Sequence, residues 1–469
     1  MIESHNFLSK EKWITSRKTL KSLCCAYPGS YAEGSSSLGF HFVLTCGGTD
    51  SSVGERSRTI KMDRIFVPFD FRTAKEGRGE FSFRTMDFKR TIGTFQGLFF
   101  SVAYEMQILS LLGMLKSCGI NVFSKKRGRH DPLIVVGGAC TLSNPELFVP
   151  FADAVVVGEG EGVLEEIIRM LNGGVEKEEI IRQLRRINRV ITEENDIDKL
   201  KERKNVLQDF SPVSSAYVTP FSVFKDMFLV EMMRGCPHSC EFCIMSSKGN
   251  WGRVRYVDEK IVLDTIPSWV KRVGLVGASV LDHPGIETIL EKLADAGLQV
   301  GVSSMRAKKL DERKAHLLAK CGLKVATVAL DAPSERIRVR IRKPGSFDDV
   351  INAAKNAKRA GIKKMRLYCL AGFDGETQRD YEELKDFCRA ISEILPVHLL
   401  VSPVVPKRFT PLEKMEFMPE DKWQNFVRFL KTSIKGSRIT CKIGSWREAK
   451  MEHIFAHLKV KDAELLPEL

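Results

Sequence analysis

The sequence predicts an α/β protein: an N-terminal Rossmann-like doubly wound sheet, then a partial (β/α)6 barrel and a small C-terminal extension. Three observations predict it. Residues 1–175 alternate short β-rich runs with helical periodicity, the mark of a parallel sheet with crossover helices. Residues 176–222 are rich in Glu, Lys and Arg and end in the breakers Ser211-Pro212-Val213-Ser214-Ser215, which reads as a helical linker. From 223 to 412 the alternation resumes over six more strand candidates, enough for a partial barrel with its site at the carboxyl ends of the strands. Residues 413–469, with Trp423 and Trp446, form the extension, whose fold the pattern does not specify.

In the first domain the strand candidates are Ser22–Tyr27, Arg64–Phe69, Gly97–Val102, Pro132–Val136 and Ala154–Val157. Five such strands suit an open sheet that binds a ligand beyond their carboxyl ends. Three of the turns there are made of small residues, Gly137-Gly138-Ala139 and Gly158-Glu159-Gly160 among them, so that a ligand can approach the backbone. In the second domain the strands are Phe228–Met233, Val273–Val276, Gln299–Ser303, Val325–Leu330, Met365–Leu370 and Leu399–Val404, with helices such as Glu287–Ala296 and Phe347–Ala360 between them.

With 43 % hydrophobic and 28 % charged residues, the 469-residue chain can bury a large core, which excludes general disorder. No run approaches the roughly 18 consecutive apolar residues of a membrane span. The opening Met1-Ile2-Glu3-Ser4-His5-Asn6 lacks the basic region of a signal peptide, so a cytoplasmic protein is expected. The formal charge of +14 invites an RNA-binding reading. Its basic residues, at 125–129, 182–189 and 336–343, lack the interleaved aromatics that stacking on single strands needs.

Of the 12 cysteines most sit singly in apolar runs, as buried small hydrophobes do. Cys236, Cys240 and Cys243 instead lie within eight residues, in Arg234-Gly235-Cys236-Pro237-His238-Ser239-Cys240-Glu241-Phe242-Cys243. Three thiolates so spaced can hold three irons of a [4Fe-4S] cluster and leave the fourth open. Structural zinc is the alternative and requires a fourth ligand, for which His238 is the candidate.

This stretch resembles the signature of the radical S-adenosylmethionine (SAM) superfamily, Cys-x3-Cys-x-aromatic-Cys after the first strand of a partial barrel. The resemblance covers about residues 225 to 412. It implies that Cys236, Cys240 and Cys243 hold a [4Fe-4S] cluster and that Phe242 shields it and contacts SAM. It further implies SAM contacts from Gly277 and Ser279 after the second strand, Ser303 and Arg306 after the third, Asp331 and Arg336 after the fourth, and Gly372 after the fifth. The Gly-Gly-Glu often found after the second strand is absent.

An N-terminal α/β domain before such a barrel is similar to the cobalamin-binding group of the superfamily. Tyr27, Ser101, Gly137, Gly138, Gly158, Glu159 and Gly160 match that group's strand-end positions and are the implied cobalamin contacts. The Asp-x-His-x-x-Gly motif that ligates cobalt in many B12 proteins is absent, as it often is in this group. The resemblance implies SAM cleavage to a 5′-deoxyadenosyl radical, hydrogen abstraction from an unactivated carbon, and methyl transfer to that carbon. A peptide, protein or small-molecule substrate is expected, a glutamine of methyl-coenzyme M reductase being one candidate, with flavodoxin or ferredoxin as electron donor. The alternatives are a cobalamin-independent radical SAM enzyme (rearrangement, oxidation or sulfur insertion) and, more remotely, a zinc-containing RNA-binding module. Sulfur insertion usually brings a second cluster, for which Cys24, Cys25, Cys46, Cys118 and Cys140 supply no tight triplet. Tyr104, Tyr368 and Cys369 lie near strand ends and are assigned no role.

Overall fold

The structure is a computed structural model and describes residues 7–14, 16–17, 22–46, 59–60, 62–68, 83–202, 207, 210–246 and 254–468. The chain forms two compact units, residues 1–228 with 455–469, and residues 229–454. No helix among the described residues is long and apolar enough to cross a membrane.

The first unit is built on β1 (Leu23–Tyr27), β2 (Asp63–Phe66), β3 (Gly97–Ser101), β4 (Leu133–Gly137), β5 (Ala154–Val156) and β6 (Val190–Ile191), in the order β2-β1-β3-β4-β5-β6. The first five are mutually parallel, and β6 runs antiparallel to β5. Nearly every residue of β1 to β5 is buried, which is why these strands read as unbroken apolar runs rather than alternating ones. Leu23, Cys25, Phe99, Val135 and Val156 share one core with α1 (Leu38–Thr45), α3 (Val163–Asn172) and α4 (Lys177–Leu184). α2 (Gln107–Ser117) buries Ile108, Leu111, Leu112 and Leu115. The strand order 2-1-3-4-5 puts the topological switch point between β1 and β3, where a doubly wound sheet binds its ligand.

The expected linker is not a spacer. Part of it folds onto the first sheet, because α4 buries Ile180 and Leu184 and Val190–Ile191 supplies the edge strand β6. Further along, Tyr217–Val218 pairs with Lys12–Trp13. The expected strand Arg64–Phe69 is seen as β2, and its last residue lies outside the described residues, as do residues 1–6.

The second unit holds β7 (Phe228–Glu231), β8 (Arg272–Val276) and β9 (Gln299–Val302) in one sheet. A second sheet contains β10 (Val325–Ala329), β11 (Lys364–Ala371), β12 (Val397–Pro403) and β13 (Ile439–Ile443), all parallel. A parallel bridge from Met305 to Val328 links the two. Between the strands lie α5 (Glu259–Thr265), α6 (Ile286–Asp295), α7 (Glu312–Lys320), α8 (Glu335–Arg340), α9 (Phe347–Arg359), α10 (Gln378–Ile394) and α11 (Glu420–Ser433). The parallel sheet therefore runs past residue 412. α11 and β13 make a seventh β/α unit out of what the sequence reads as an extension, and residues 455–469 cluster with the first unit.

Candidate active site

The cysteine loop follows β7 and starts from a short antiparallel pairing of Met233–Arg234 with Arg255–Tyr256. Gly235 has φ +76°, a left-handed conformation that suits glycine and turns the chain into the loop. The Cys243 N–H donates to the Cys240 carbonyl (3.1 Å), closing the loop on itself. All three thiols are free. Burial pushes the Cys236 and Cys240 thiols up, Cys240 to about 11, and the neighbouring Cys243 adds to the rise in both. The Lys343 ammonium acts on both in the opposite sense.

Among the described residues no three His, Cys, Asp or Glu side chains are gathered around a single-ion position. His238, the fourth ligand that zinc would need, is engaged elsewhere: its Nε2 faces Arg306 Nη1 (2.5 Å) and the Asp282 carboxylate (3.8 Å). The donor set is three cysteines, which fits a [4Fe-4S] cluster with one open iron better than a four-coordinate zinc.

Several of the residues expected to contact SAM do converge beside this loop. Arg306 Nη1 donates to both oxygens of Asp282 at 2.9 Å, and the Ser279 hydroxyl donates to the same carboxylate. Burial pushes the Asp282 carboxyl up, but Ser279 and the Arg306 and Lys309 cations outweigh it and hold it below its ordinary range. Ser303 Oγ donates to the Gly277 carbonyl (3.2 Å), and a Cβ on Gly277 would lie 2.6 Å from Met233 Cγ, so glycine there lets the second strand's end close onto the root of the cysteine loop. Phe242 packs against Phe373 (ring centroids 6.4 Å, edge to face) beside Ile337, Ile341 and Met415. Asp331, at φ +61°, is paired with Lys343.

Arg336 does not join this group. Its guanidinium is tied to Asp380 (2.6 Å) and the Gly375 carbonyl (2.8 Å). The rest of the basic run 336–343 is spoken for as well. Arg338 donates to the carbonyls of Leu330, Pro344 and Gly345, Arg340 to that of Asp374, and Arg342 pairs with Glu241 of the cysteine loop (3.1 Å). The Glu241 N–H donates to the Ile341 carbonyl (2.9 Å). The run thus ties loops together through its ion pairs and hydrogen bonds, although Arg336, Arg340 and Arg342 themselves stay exposed.

Sequence reasoning missed Asp282, Lys343 and Glu376. Glu376 receives hydrogen bonds from the N–H groups of Gly372 (2.8 Å) and Phe373 (3.0 Å) and from the Tyr381 hydroxyl (3.0 Å), and so fixes the turn at Gly372, where φ is +105°. Burial raises its carboxyl to about 7, although the three donors pull it down. An acid raised in the folded state holds its proton more tightly than the unfolded chain does. Its ionisation therefore costs stability as pH rises from about 4.5 to about 7, by about 3 kcal/mol in total. Glu376→Gln removes this component: the thermal midpoint of the wild type, measured relative to the variant, is expected to fall across that window and to level off above it.

In the first unit, Tyr27 is buried edge-to-face on Phe40 (6.2 Å), and Ser101 is buried at the switch point. Gly138 is glycine because a Cβ would lie 2.3 Å from the Val102 carbonyl oxygen, and Gly160 because it would lie 2.9 Å from the Phe42 ring. Gly158, at φ +88°, faces open space, and Gly137 beside it is half-exposed. The buried Glu159 carboxylate accepts from the Leu207 N–H (2.9 Å). Packing accounts for Tyr27, Gly138, Glu159 and Gly160, whereas Gly158 has open space around it and Gly137 is in no more than ordinary contact with Val156. Cys24 and Cys25 are adjacent on β1 and point to opposite faces, as strand neighbours must.

Comparison with known proteins bears on the same two regions. Residues 230–388 match the family model for the radical SAM superfamily, and residues 52–192 match a model described as radical SAM proteins, N-terminal. An uncharacterized Methanocaldococcus jannaschii protein, MJ0966, is 27 % identical over 351 residues, 73 % of each chain. An uncharacterized methyltransferase of Pyrococcus horikoshii, PH0819, is 26 % identical over 283 residues, 57 % of this chain and 60 % of its own. Among solved structures, the cobalamin-dependent SAM radical enzyme OxsB with aqua-cobalamin bound is similar in fold, with a TM-score of 0.52 at 14 % identity. That match covers 88 % of this chain, which spans 56 % of the OxsB chain. The family models together span more than half of the sequence, and with the cysteine triplet at the end of the first barrel strand they show that this chain belongs to the radical SAM superfamily.

Proposed function

We propose that the protein is a cobalamin-dependent radical SAM C-methyltransferase acting on an unactivated carbon of a peptide or protein. The observation that carries the reading is the first unit. Its 2-1-3-4-5 parallel sheet has glycine strand ends at Gly137 and Gly158, the latter facing open space, and precedes a radical SAM barrel in one chain. The fold likeness to OxsB and the relative named a methyltransferase support it. Membership of the superfamily brings SAM, a [4Fe-4S] cluster, an external electron donor and a substrate. We take the donor to be a flavodoxin or ferredoxin and the setting to be the cytoplasm, where free thiols stay reduced.

Cys236, Cys240 and Cys243 would hold the cluster, which supplies one electron and an open coordination position for SAM cleavage. Cobalamin, beside Ser101, Gly137 and Gly158, would supply the methyl group. The chain's own residues do the positioning. Phe242 and Phe373 shut water from one side of the cysteine loop, while Arg306, held by Asp282, offers a fixed cation beside it. Glu376 holds the Gly372 turn so that its backbone is presented in one conformation. The test is product analysis on protein reconstituted with iron, sulfide and hydroxocobalamin: 5′-deoxyadenosine and S-adenosylhomocysteine are both expected.

A further inference from the structure

The four-stranded sheet of the second unit has one face under helices and one that is not. Met365, Leu367, Cys369 and Ala371 of β11 and Val397, Leu399 and Val401 of β12 are fully buried, and Cys369 and Cys441 both interact with Cys388 of α10. The alternate residues therefore line the concave, inner face. The parallel register sets Arg366, His398 and Thr440 side by side, and Tyr368, Leu400 and Lys442 side by side one layer nearer the carboxyl ends, with Lys364 below. Tyr368, Thr440 and Lys442 are exposed and the others half-exposed.

This face is unbalanced in charge. The six strands β8 to β13 contain Arg272, Lys364, Arg366, Lys442 and His398, and not one Asp or Glu. Lys364, Arg366 and Lys442 make no hydrogen bond or ion pair with the described residues, unlike the basic run at 336–343, where each cation has a protein partner. His398 Nδ1 lies 2.8 Å from Thr440 Oγ1. Desolvation and the Lys364, Arg366 and Lys442 cations all press its imidazole toward the neutral form, with no carboxylate opposing them. Thr440 Oγ1 also donates to the Val397 carbonyl (3.3 Å), which leaves the unpaired cations and the Tyr368 hydroxyl as the groups of this concave wall complementary to an anion.

We infer that Arg366 and Lys442, with Tyr368, Thr440 and His398 as hydrogen-bonding neighbours, bind a phosphate or carboxylate group of the substrate inside the barrel. Lys442 and Tyr368 lie about three residues, or ~10 Å, below the carboxyl end of their sheet, and Arg366 about two residues lower. An anion entering from the cysteine end is thus carried on an extended arm, which leaves a carbon of that arm near the cysteine loop. This rests on the reading of the barrel as the reaction chamber and adds the substrate's chemical class.

The experiment is calorimetric titration of the reconstituted full-length protein with inorganic pyrophosphate and, separately, with citrate. Binding of one or both is expected, the tighter probe telling phosphate from carboxylate, with at least a tenfold loss in Arg366→Gln/Lys442→Gln and retention in Arg366→Lys/Lys442→Arg. The cluster spectrum of each sample verifies folding. If the double variant does not fold, Lys442→Gln alone, altered at an exposed position, is expected to weaken binding measurably. Failure of both anions to bind the wild type, or equal binding by the charge-neutral variant, overturns the inference. Neither result depends on bound corrinoid, so loss of corrinoid would count against the methyltransferase reading without touching this one.

Discussion

Cys240→Ala is expected to abolish formation of 5′-deoxyadenosine and to leave reconstituted protein without the absorbance of a [4Fe-4S] cluster. Cys240 is the most buried of the three ligands, and its loop is closed by the hydrogen bond from Cys243 and tied by Glu241 to Ile341 and Arg342. Removing its sulfur leaves two ligands for a cluster that needs three from this loop, and neither His238 nor any neighbouring carboxylate is free to replace it. The far-ultraviolet circular dichroism should change little, because the strands that frame the loop are packed independently of the thiol. Iron content, visible spectrum and product analysis on the same preparation check this. Wild-type levels of cleavage in the variant would show that the triplet is not the cluster site.

The largest effect on stability is expected at Arg64→Met. Arg64 is fully buried on β2, paired bidentate with Glu11 (2.8 and 3.0 Å) and with Asp87 (2.8 and 3.0 Å), and its guanidinium lies against the rings of both Trp13 (4.7 Å) and Tyr217 (4.8 Å), which pack on each other. Methionine fills much of the volume but leaves two buried carboxylates without a counter-charge, which costs about 3–5 kcal/mol. For a unit of this size that is a fall of roughly 10 °C in the unfolding midpoint. Lysine is a poor substitute, since one ammonium cannot make two planar bidentate pairs. The exposed pair Arg169–Glu166, on the surface of α3, is the natural control, and Arg169→Ala should leave the midpoint unchanged. Calorimetry of the two variants separates the cases.

The eleven strand candidates of the sequence lie within three residues of observed strands, all of them buried on both faces or packed under helices. Val325–Ala329 and Leu133–Gly137 are legible because their side chains are small, branched and apolar. β13 is not, because Thr440 and Lys442 face the open interior and give Ile-Thr-Cys-Lys-Ile the look of a surface segment. The edge strand Val190–Ile191 is too short to stand out from the charged helix before it.

The site divides in the same way. The cysteine triplet is legible because a cluster ligand set is local in sequence and its spacing is dictated by the size of the cluster. Asp282 and Lys343 follow different strands and approach the cysteine loop only in the fold, and Glu376 acts on the Gly372 turn, so no spacing announces them. Arg336 shows the converse: it occupies an expected position, yet the acid that claims it, Asp380, lies 44 residues away on α10. The glycines at 138 and 160 look like ligand turns in sequence, but their neighbours Val102 and Phe42 explain them as packing.

The most direct test of the central claim is product analysis after anaerobic reconstitution with iron, sulfide and hydroxocobalamin, reduction, and addition of SAM. A cobalamin-dependent methyltransferase should yield 5′-deoxyadenosine, from cleavage at the cluster, together with S-adenosylhomocysteine, from removal of the methyl group, the second product appearing only when corrinoid is retained. Formation of 5′-deoxyadenosine without S-adenosylhomocysteine, at equal rates with and without corrinoid, would contradict the account and leave a radical SAM enzyme of cobalamin-free chemistry.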